Sequence, residues 1–232
     1  MREALQHFQR AQRLVLLGLL LLPAGCSKEV VHKGKTVAQW RQALKDSDAE
    51  VRREAATALA EIGPPAKAAV SDLAAALNDS NDGVRSQSAL ALWAIGPEAS
   101  SATYDLAAAL RDKNATVRAH AAGALGGIGP NASNAASALG ESLHDKDPIV
   151  RQAAAKALGA IGPEAKAAVA DLIAALRDRD RNVRSEVAYT LALIGSDAQP
   201  AVPALEQIIA KEKDGLVRGA AVHALSKIQG KK

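Results

Sequence analysis

The sequence predicts an all-α protein, and more narrowly an α-solenoid made of six two-helix repeats. The first observation behind this prediction is composition: 48% of the 232 residues are hydrophobic, but only 2% are aromatic. Alanine and leucine supply the apolar fraction, and both are strong helix formers that let helices approach closely. The second observation is a motif that recurs six times at a nearly constant interval, which is typical of repeat proteins.

The recurring motif begins with a Val-Arg pair. A leucine follows eight residues after each valine, and an isoleucine stands three residues beyond that leucine. The valines are separated by 33, 33, 33, 33 and 34 residues and are Val51, Val84, Val117, Val150, Val183 and Val217. A register held through six copies predicts a continuous stack of similar units, because one unit alone cannot bury its apolar face.

Each copy of the motif predicts a helix with a defined start and end. An Asp or Asn stands three residues before each valine and can accept hydrogen bonds from the N–H groups of a first helical turn. Apolar residues then share one face at helical spacing, and a glycine ends the first five of these helices. A shorter apolar pattern precedes each one, so the unit is helix A, a turn and helix B. In the first unit we expect Trp40 of helix A to cover the open end.

The repeated pattern supports a family resemblance. The consensus A-V-x-x-L-x-x-A-L-x-D-x-D-x-x-V-R-x-x-A-A-x-A-L-x-x-I-G-P resembles the short HEAT repeat found in phycobilin lyases and many bacterial proteins. The resemblance covers residues 36–230 and implies a right-handed superhelix whose concave surface is lined by the B helices. It implies little about function, because this fold supports many unrelated roles.

The arginine of each Val-Arg pair is expected to be structural. An acidic residue stands six positions before the arginine in every copy, and in HEAT arrays such pairs link neighbouring repeats. In the sixth copy the acid is Glu212, shifted by one extra residue, and a looser pairing is expected there. A ligand-binding role is the alternative. The expected ladder consists of Arg52, Arg85, Arg118, Arg151, Arg184 and Arg218.

Residues 1–25 are typical of a lipoprotein signal peptide. Residues 2–13 are net basic, residues 14–22 (LVLLGLLLL) are all apolar, and small residues lead to Cys26, the only cysteine. As a helix the apolar run spans about 13 Å, too little for a hydrocarbon core of about 30 Å. The segment LLPAGC resembles the bacterial lipobox, although Pro23 stands where leucine is usual. The resemblance implies a lipidated Cys26; an ordinary signal with an incidental or free cysteine is the alternative.

The signal segment predicts an exported protein in the cell envelope. Residues 26–35 are polar, lack periodicity and are expected to form a lipidated tether. By resemblance to lipoprotein sorting in Gram-negative cells, Ser27 after the cysteine implies the outer membrane, with the protein facing the periplasm. Contact with the membrane is expected through the lipid anchor only.

The sequence predicts a binding protein and no enzyme. Neither a cofactor nor a metal is expected, because no histidine has a His or Cys partner at ligand spacing and no His-Glu pair of the deoxyhypusine hydroxylase type occurs. No nucleophile motif such as G-x-S-x-G is present. The net charge of +4 includes two charges from residues 1–25, which leaves too little for nucleic-acid binding. We expect a protein partner, with lyase-like or enzyme-accessory handling of a small ligand as the alternative.

The B helices differ from one another mainly six, nine and ten residues after the valine. These positions should face away from the buried face and line the concave surface. Trp93 beside small residues of the next repeat has the form of an interaction hot spot, whereas simple packing over the glycines is the alternative. The hypothesis assigns partner binding to Leu90, Trp93, His120, Gly123, Gly126, Gly127, Lys156, Tyr189 and Leu193.

Overall fold

A computed structural model describes residues 30–230 and confirms the all-α repeat fold. A small antiparallel hairpin comes first, formed by β1 (Val31–His32) and β2 (Lys35–Thr36). Alternating A and B helices follow and make six repeats in the described part of the chain. The predicted signal segment and Cys26 lie outside the described residues. Within those residues, no helix combines the length and the apolar character needed to span a membrane.

The first five A helices have 7 residues, the sixth has 10, and every B helix has 14. The A helices are α1 (Val37–Ala43), α3 (Val70–Ala76), α5 (Thr103–Ala109), α7 (Ala136–Ser142), α9 (Val169–Ala175) and α11 (Val202–Lys211). The B helices are α2 (Ala49–Ile62), α4 (Asp82–Ile95), α6 (Ala115–Ile128), α8 (Pro148–Ile161), α10 (Arg181–Ile194) and α12 (Gly215–Ile228). Between repeats run the 3-10 segments Pro64–Ala69, Gly96–Ala102, Gly129–Ala135, Gly162–Ala168 and Gly195–Ala201.

The B helices begin and end where the sequence predicts. Each predicted capping side chain accepts a hydrogen bond from a backbone N–H two or three residues on: Asp48, Asn81, Asn114, Asp147, Asp180 and Asp214. The glycines that end the first five B helices have φ between 69° and 76°. Because an L side chain is strained in that conformation, the glycines fix the turn into the 3-10 segment.

One continuous apolar core runs from Trp40 to Ile228. Neighbouring B helices pack directly on each other, and the contact uses alanine rather than larger residues. Five residues after the motif valine, the first five B helices carry fully buried alanines, namely Ala56, Ala89, Ala122, Ala155 and Ala188. Small side chains at these contacts let the helices approach closely, which explains the alanine-rich and aromatic-poor composition.

The N-terminal end of the stack is closed by the hairpin together with Trp40. The Trp40 side chain is 1% exposed, and its Nε1 atom donates to the His32 carbonyl at 3.1 Å. The Lys35 Nζ atom lies 4.3 Å from the centre of the Trp40 ring. Residues 31–35, which the sequence assigns to the tether, therefore belong to the hairpin. Strands of two residues are too short to produce an alternating pattern, so the sequence carried no signal for them.

Candidate functional site

The motif arginines lie where each A helix turns into its B helix and form a ladder along that edge. In the first four repeats the guanidinium donates two hydrogen bonds to one aspartate, from Nε at 2.6 Å and from Nη2 at 2.8 or 2.9 Å. That aspartate belongs to the following repeat. The pairs are Arg52–Asp79, Arg85–Asp112, Arg118–Asp145 and Arg151–Asp178.

The acid six positions before each inner arginine does not pair with that arginine through its carboxylate. It contributes its backbone carbonyl, which accepts from Nη1 of the arginine in the same repeat, as Asp112 does for Arg118 at 2.8 Å. Its carboxylate is directed to the arginine of the preceding repeat. Every inner arginine therefore holds its own turn together and also joins that turn to the next repeat.

The ladder shifts the protonation equilibria of its acids. Burial opposes ionisation of Asp112, Asp145 and Asp178, but hydrogen bonds from the arginine and from a turn N–H outweigh it, so the pKa of each carboxyl lies below its ordinary value. For Asp79 the hydrogen bond from Arg52 is the largest influence on the pKa, in the same direction. These carboxylates stay ionised inside a partly buried network.

The ladder becomes weaker at its C-terminal end. Arg184 donates a single hydrogen bond to the Glu212 carboxylate, from Nε at 2.9 Å, where the inner arginines donate two. Arg218 belongs to the last described repeat, is exposed, and donates to the Glu212 carbonyl at 3.2 Å. The ion pairs found in the described part of the chain do not include Arg218.

A groove of about 590 Å³ crosses the B-helix face of repeats two to four. Its walls come from α4, α6 and α8, and most of its lining is alanine, glycine and two large apolar side chains. We call it the B-helix groove; its lining residues are Trp93, Ala115, Thr116, Ala119, His120, Gly123, Gly126, Gly127, Asp147, Ile149, Gln152, Ala153, Lys156, Ala157 and Ala160.

Trp93 forms one wall of the B-helix groove. A Cβ atom added at Gly123 would lie 2.8 Å from Trp93 Cε3, and one added at Gly127 would lie 2.8 Å from Trp93 Cδ1. The indole therefore lies across two glycines of α6, at a distance that no larger residue would allow. The side chain is nevertheless 46% exposed. Packing over glycines and exposure to the groove, which the sequence offered as alternatives, are both present.

Two other predicted positions have different surroundings from those expected. A Cβ atom added at Gly126 would lie 3.0 Å from Ala157 Cα, so this glycine allows α6 and α8 to approach, although it also lines the groove. Leu90 is half-buried rather than exposed and does not line the groove. It stands one helical turn before Trp93 on α4.

His120 lines the groove and forms a hydrogen bond with Ser86 on α4, the helix that also carries Trp93. Its Nδ1 atom lies 3.1 Å from the Ser86 carbonyl and 3.0 Å from Ser86 Oγ. A carbonyl can only accept, so Nδ1 carries the proton in this arrangement. The imidazole therefore cannot take a proton from Ser86 Oγ through Nδ1, and the pair lacks the polarity of an activated nucleophile. In the described residues no group of His, Cys, Asp and Glu could hold a metal ion.

Two charged side chains and then an apolar spot lie on the same face beyond the groove, toward repeat five. Lys156 is exposed on α8, and Glu186 is half-buried on α10. Burial raises the pKa of Glu186, while the charge of Lys156 acts in the opposite direction. Beyond them Leu193 lies against Gly159, and the Tyr189 ring centre is 6.0 Å from that of His223. Tyr189 and Leu193 are exposed but lie outside the groove lining.

Comparison of the three varied columns missed several of the groove residues, and Ile149 is the largest apolar residue among them. Ile149 is 67% exposed and lines the groove at the start of α8. It stands directly before the motif valine, a position outside the three columns that were aligned. The equivalent residues are Glu50, Gly83, Thr116, Asn182 and Leu216, and the change to a large apolar residue at this position was the signal available.

The repeated helical hairpins and the open groove on the B-helix face define an α-solenoid of the helical-repeat class. The family profile for HEAT repeats matches residues 37–106, 103–169 and 138–226, so the chain belongs to the HEAT-repeat family. A search of curated proteins found no match.

Solved structures with the same architecture include designed and natural proteins. An engineered protein is 28% identical, with a TM-score of 0.70 over 84% of this chain and 97% of that one. A designed armadillo repeat protein in complex with the peptide (KR)4 is 22% identical, with a TM-score of 0.69 over 84% and 100%. The CpcE–CpcF complex of phycocyanin lyase from Nostoc sp. is 24% identical, with a TM-score of 0.59 over 84% and 79%. The last two likenesses concern the fold alone.

Proposed function

We propose that this protein is an interaction scaffold that binds a segment of a partner protein in the B-helix groove. The observation that carries the proposal is Trp93, a half-exposed aromatic side chain held in place by two glycines at the wall of an apolar groove. Rigid aromatic side chains beside a concavity are the usual anchors of protein interfaces. Tyr189 and Leu193 extend the same face toward repeat five and offer a second apolar contact.

The comparisons and the fold support a protein or peptide ligand. α-Solenoids bind extended surfaces along their repeats, and one designed relative of this fold binds a peptide. A small ligand is the second candidate, because a volume of about 590 Å³ lies in the usual range for small-molecule sites. The polar groups of the groove are few, and His120 is already bonded to Ser86. This favours a partner side chain over a polar metabolite.

We also propose that the scaffold is held on a membrane by lipid attached to Cys26, in the cell envelope and facing the periplasm. The support is the signal sequence alone. Mass spectrometry of the purified protein should find the acylated cysteine at the N-terminus of the mature chain. Cys26→Ala should move the protein from the membrane fraction to the soluble fraction. Equal membrane association of both proteins would contradict the proposal.

The groove is tested by crosslinking in the cell envelope, followed by mass spectrometry of the attached protein. A photo-reactive amino acid replaces Ile149, whose exposed side chain points to the groove lining. The matched control places it at Tyr104, an exposed aromatic on the A helix α5 that does not line the groove. We expect one protein attached at position 149 and not at position 104.

Two variants separate binding from folding. Ile149→Glu puts a charge on the groove rim without removing a buried contact, and Trp93→Ala removes the anchor. Both should abolish crosslinking through a reactive group at position 156 while the far-ultraviolet circular dichroism is unchanged. A partner that survives both variants would rule out the groove. A small molecule that co-purifies with the wild type and is lost in both variants, with no protein attached, would favour the second candidate.

A further inference from the structure

A contact beside the ladder recurs along the solenoid and joins the A–B turn of one repeat to the A helix of the next. It is made by the residue that directly precedes the ladder acid, which is the acid six positions before a motif arginine. In repeats one, three and four this residue is basic and lies against an acid; the pairs are Lys45–Asp72 at 3.0 Å, Arg111–Glu141 at 2.7 Å and His144–Asp171 at 3.2 Å. In repeat two it is the neutral Asn78. In these four described repeats, a basic side chain at this position is therefore matched by an acid.

Arg177 of repeat five occupies the same position without such a match. The acids of the earlier pairs stand 27 or 30 residues after their basic partners. At those two distances from Arg177 the chain has Ala204 and Gln207. The Arg177 side chain is exposed, and among the described residues it has neither an ion pair nor a hydrogen bond. Repeats five and six are both described in full, so the missing acid is a substitution inside the stack and not the effect of a chain end.

Arg177 lies at the rim of a hollow of about 390 Å³ between the C-terminal end of α9 and the helix α11. We call this hollow the repeat-five notch. Its apolar lining comes from Leu176, Ala204 and Ile208, and its cations are Arg177, Lys211 and Lys213. The three apolar residues are buried or half-buried, whereas all three cations are exposed. The notch therefore combines an apolar floor with a basic rim.

The acid in the lining of the notch, Glu212, is already bound within the protein. Its carboxylate accepts from the Asp214 N–H at 3.0 Å and from Arg184 Nε at 2.9 Å. These two hydrogen bonds hold the pKa of Glu212 below its ordinary value. Lys211 and Lys213, on either side of it, have no ion pair in the part of the chain that the structure describes. The charge of the rim is thus available to a ligand.

The equivalent hollow between α5 and α7 has a balanced charge. Its volume is about 410 Å³, and Arg111 at its rim is bound to Glu141. Its lining has three acids for three cations, namely Asp112, Glu141 and Asp145 against Arg111, Arg118 and Lys146. The repeat-five notch has one acid for three cations. Two hollows at the same place in the repeat therefore differ in charge, and the exchange of Glu141 for Gln207 accounts for part of that difference.

We infer that the repeat-five notch binds a phosphate group, either free or carried by a larger molecule. A guanidinium can donate two parallel hydrogen bonds to phosphate oxygens, and the lysines add two point charges. A phosphate monoester carries a charge of about −1.5 to −2 at pH 7, which suits three cations better than the single charge of a carboxylate does. The Gln207 amide offers a neutral donor at the position where Glu141 would repel an anion. The apolar floor leaves room for the organic part of a phosphate ester.

The test is a titration of the purified, isotope-labelled chain with inorganic phosphate at constant ionic strength, followed by NMR. The amide signals of Arg177, Gln207 and Lys213 should shift and saturate, with a dissociation constant on the order of 1 mM for a site this open. Acetate should shift them less and without saturation. Arg177→Ala should weaken phosphate binding by about tenfold, because the bidentate donor is removed.

Two exchanges of the same size test whether the missing acid creates the site. Gln207→Glu supplies a carboxylate that can bind Arg177 as Glu141 binds Arg111, so it should abolish phosphate binding while the amide spectrum stays that of a folded protein. Glu141→Gln makes the reverse exchange in the equivalent hollow and should leave the affinity of the notch unchanged. Trp93→Ala should also leave it unchanged, because the B-helix groove lies on repeats two to four. Failure of this inference is thereby separated from failure of the proposed function.

A second titration distinguishes the two sources of a phosphate group. Its probe is dihexanoyl phosphatidic acid, a short-chain lipid with a phosphate monoester, used as a monomer. Tighter binding than that of inorganic phosphate would identify a phospholipid headgroup as the ligand, and equal or weaker binding would identify free phosphate or a small ester. The inference is overturned if neither probe gives saturable shifts or if acetate binds as tightly as phosphate. Binding that persists in both Arg177→Ala and Gln207→Glu overturns it as well.

Discussion

The ladder edge runs along all the described repeats and the B-helix groove crosses repeats two to four, and the two regions use the repeats in opposite ways. Along the ladder, Arg85, Arg118 and Arg151 repeat one arrangement of hydrogen bonds with nearly identical distances. In the groove, each helix contributes a different side chain, from Trp93 on α4 to Ile149 on α8. The uniform edge sets the stacking of the repeats, and the varied face distinguishes the repeats from one another.

The two regions also differ in how they treat charge. The ladder carboxylates are partly buried but are paired with arginine, so their pKa values are lowered. Glu186 beside the groove is half-buried without such a partner, and its pKa is raised. The comparison teaches that burial alone does not decide the cost of a charge here; the presence of a bidentate partner does.

The largest effect is expected from removing an inner ladder arginine. Arg118→Ala leaves the Asp145 carboxylate partly buried without its partner and should lower the free energy of unfolding by about 3 kcal/mol. Arg218→Ala at the exposed end should lower it by less than about 0.5 kcal/mol. Urea denaturation followed by circular dichroism measures both. Equal effects would mean that the inner arginines do not join the repeats.

A smaller effect with a pH signature distinguishes the two kinds of carboxylate. The lowered pKa of Asp178 stabilises the fold fully above the ordinary aspartate value near 3.9, and this stability is lost as pH falls through the lowered folded value. Asp178→Asn should therefore cost about 2 kcal/mol at pH 7, and this cost should become smaller as the pH falls below the ordinary aspartate pKa. The raised pKa of Glu186 acts in reverse: its contribution is present at low pH and is lost as pH rises through the raised value.

Glu186→Gln is the matched variant for that comparison. It should raise the free energy of unfolding at pH 7 by up to about 0.5 kcal/mol and leave it unchanged near pH 3. Denaturation curves of both variants at the two pH values provide the measurement. A loss of stability in Glu186→Gln at pH 7 would show that this carboxylate has a favourable partner after all.

The glycines under Trp93 provide a third comparison. Gly123→Ala puts a Cβ atom into the indole and should displace Trp93 at a cost of about 1–2 kcal/mol. Gly219→Ala has nothing within 4 Å of the new Cβ and should instead stabilise α12 by about 0.5–1 kcal/mol. Thermal unfolding and partner crosslinking are measured together. Stabilisation by both substitutions would mean that Trp93 can move aside without cost.

A buried hydroxyl between the repeats provides a further test. Ser88 is fully buried on α4, and its Oγ atom has no hydrogen-bond partner in the described residues. Four of the other five repeats carry alanine at this position. Ser88→Ala should raise the free energy of unfolding by about 0.5–1 kcal/mol, because an unsatisfied polar group is removed. A decrease on urea denaturation would indicate that the hydroxyl is hydrogen-bonded in solution.

Much of the fold could be predicted because the sequence signals that mark the helix boundaries recur in each of the six repeats. Asp or Asn caps, terminal glycines and apolar spacing are local features, and all of them are present where the sequence predicts. The hairpin over Trp40 could not be predicted, because its strands are too short to produce a pattern. The acid that pairs with each arginine could not be chosen from spacing alone, since the same aspartate serves two repeats through its carbonyl and its carboxylate.

The candidate site was predictable only in part. The pairing of Trp93 with two glycines could be predicted by aligning the repeats. A large side chain in one repeat is accommodated by residues without a side chain in the next. The exposure of Leu90 and Ile149 depends on how far neighbouring helices are rotated and offset, which no single-repeat pattern records. Partner specificity depends on those same details and lies beyond the sequence pattern for that reason.

The two tryptophans of the chain stand in opposite surroundings, and this gives the molecule two spectroscopic reporters. Trp40 is almost fully buried at the N-terminal end, whereas Trp93 is half-exposed at the groove wall. A Trp40→Phe protein would emit from the groove alone, with quenching by iodide that falls when the groove is occupied. A Trp93→Phe protein would emit from Trp40 alone. The denaturant concentration at which its fluorescence shifts to the red would report the opening of the first repeat, and circular dichroism would report the unfolding of the whole solenoid for comparison.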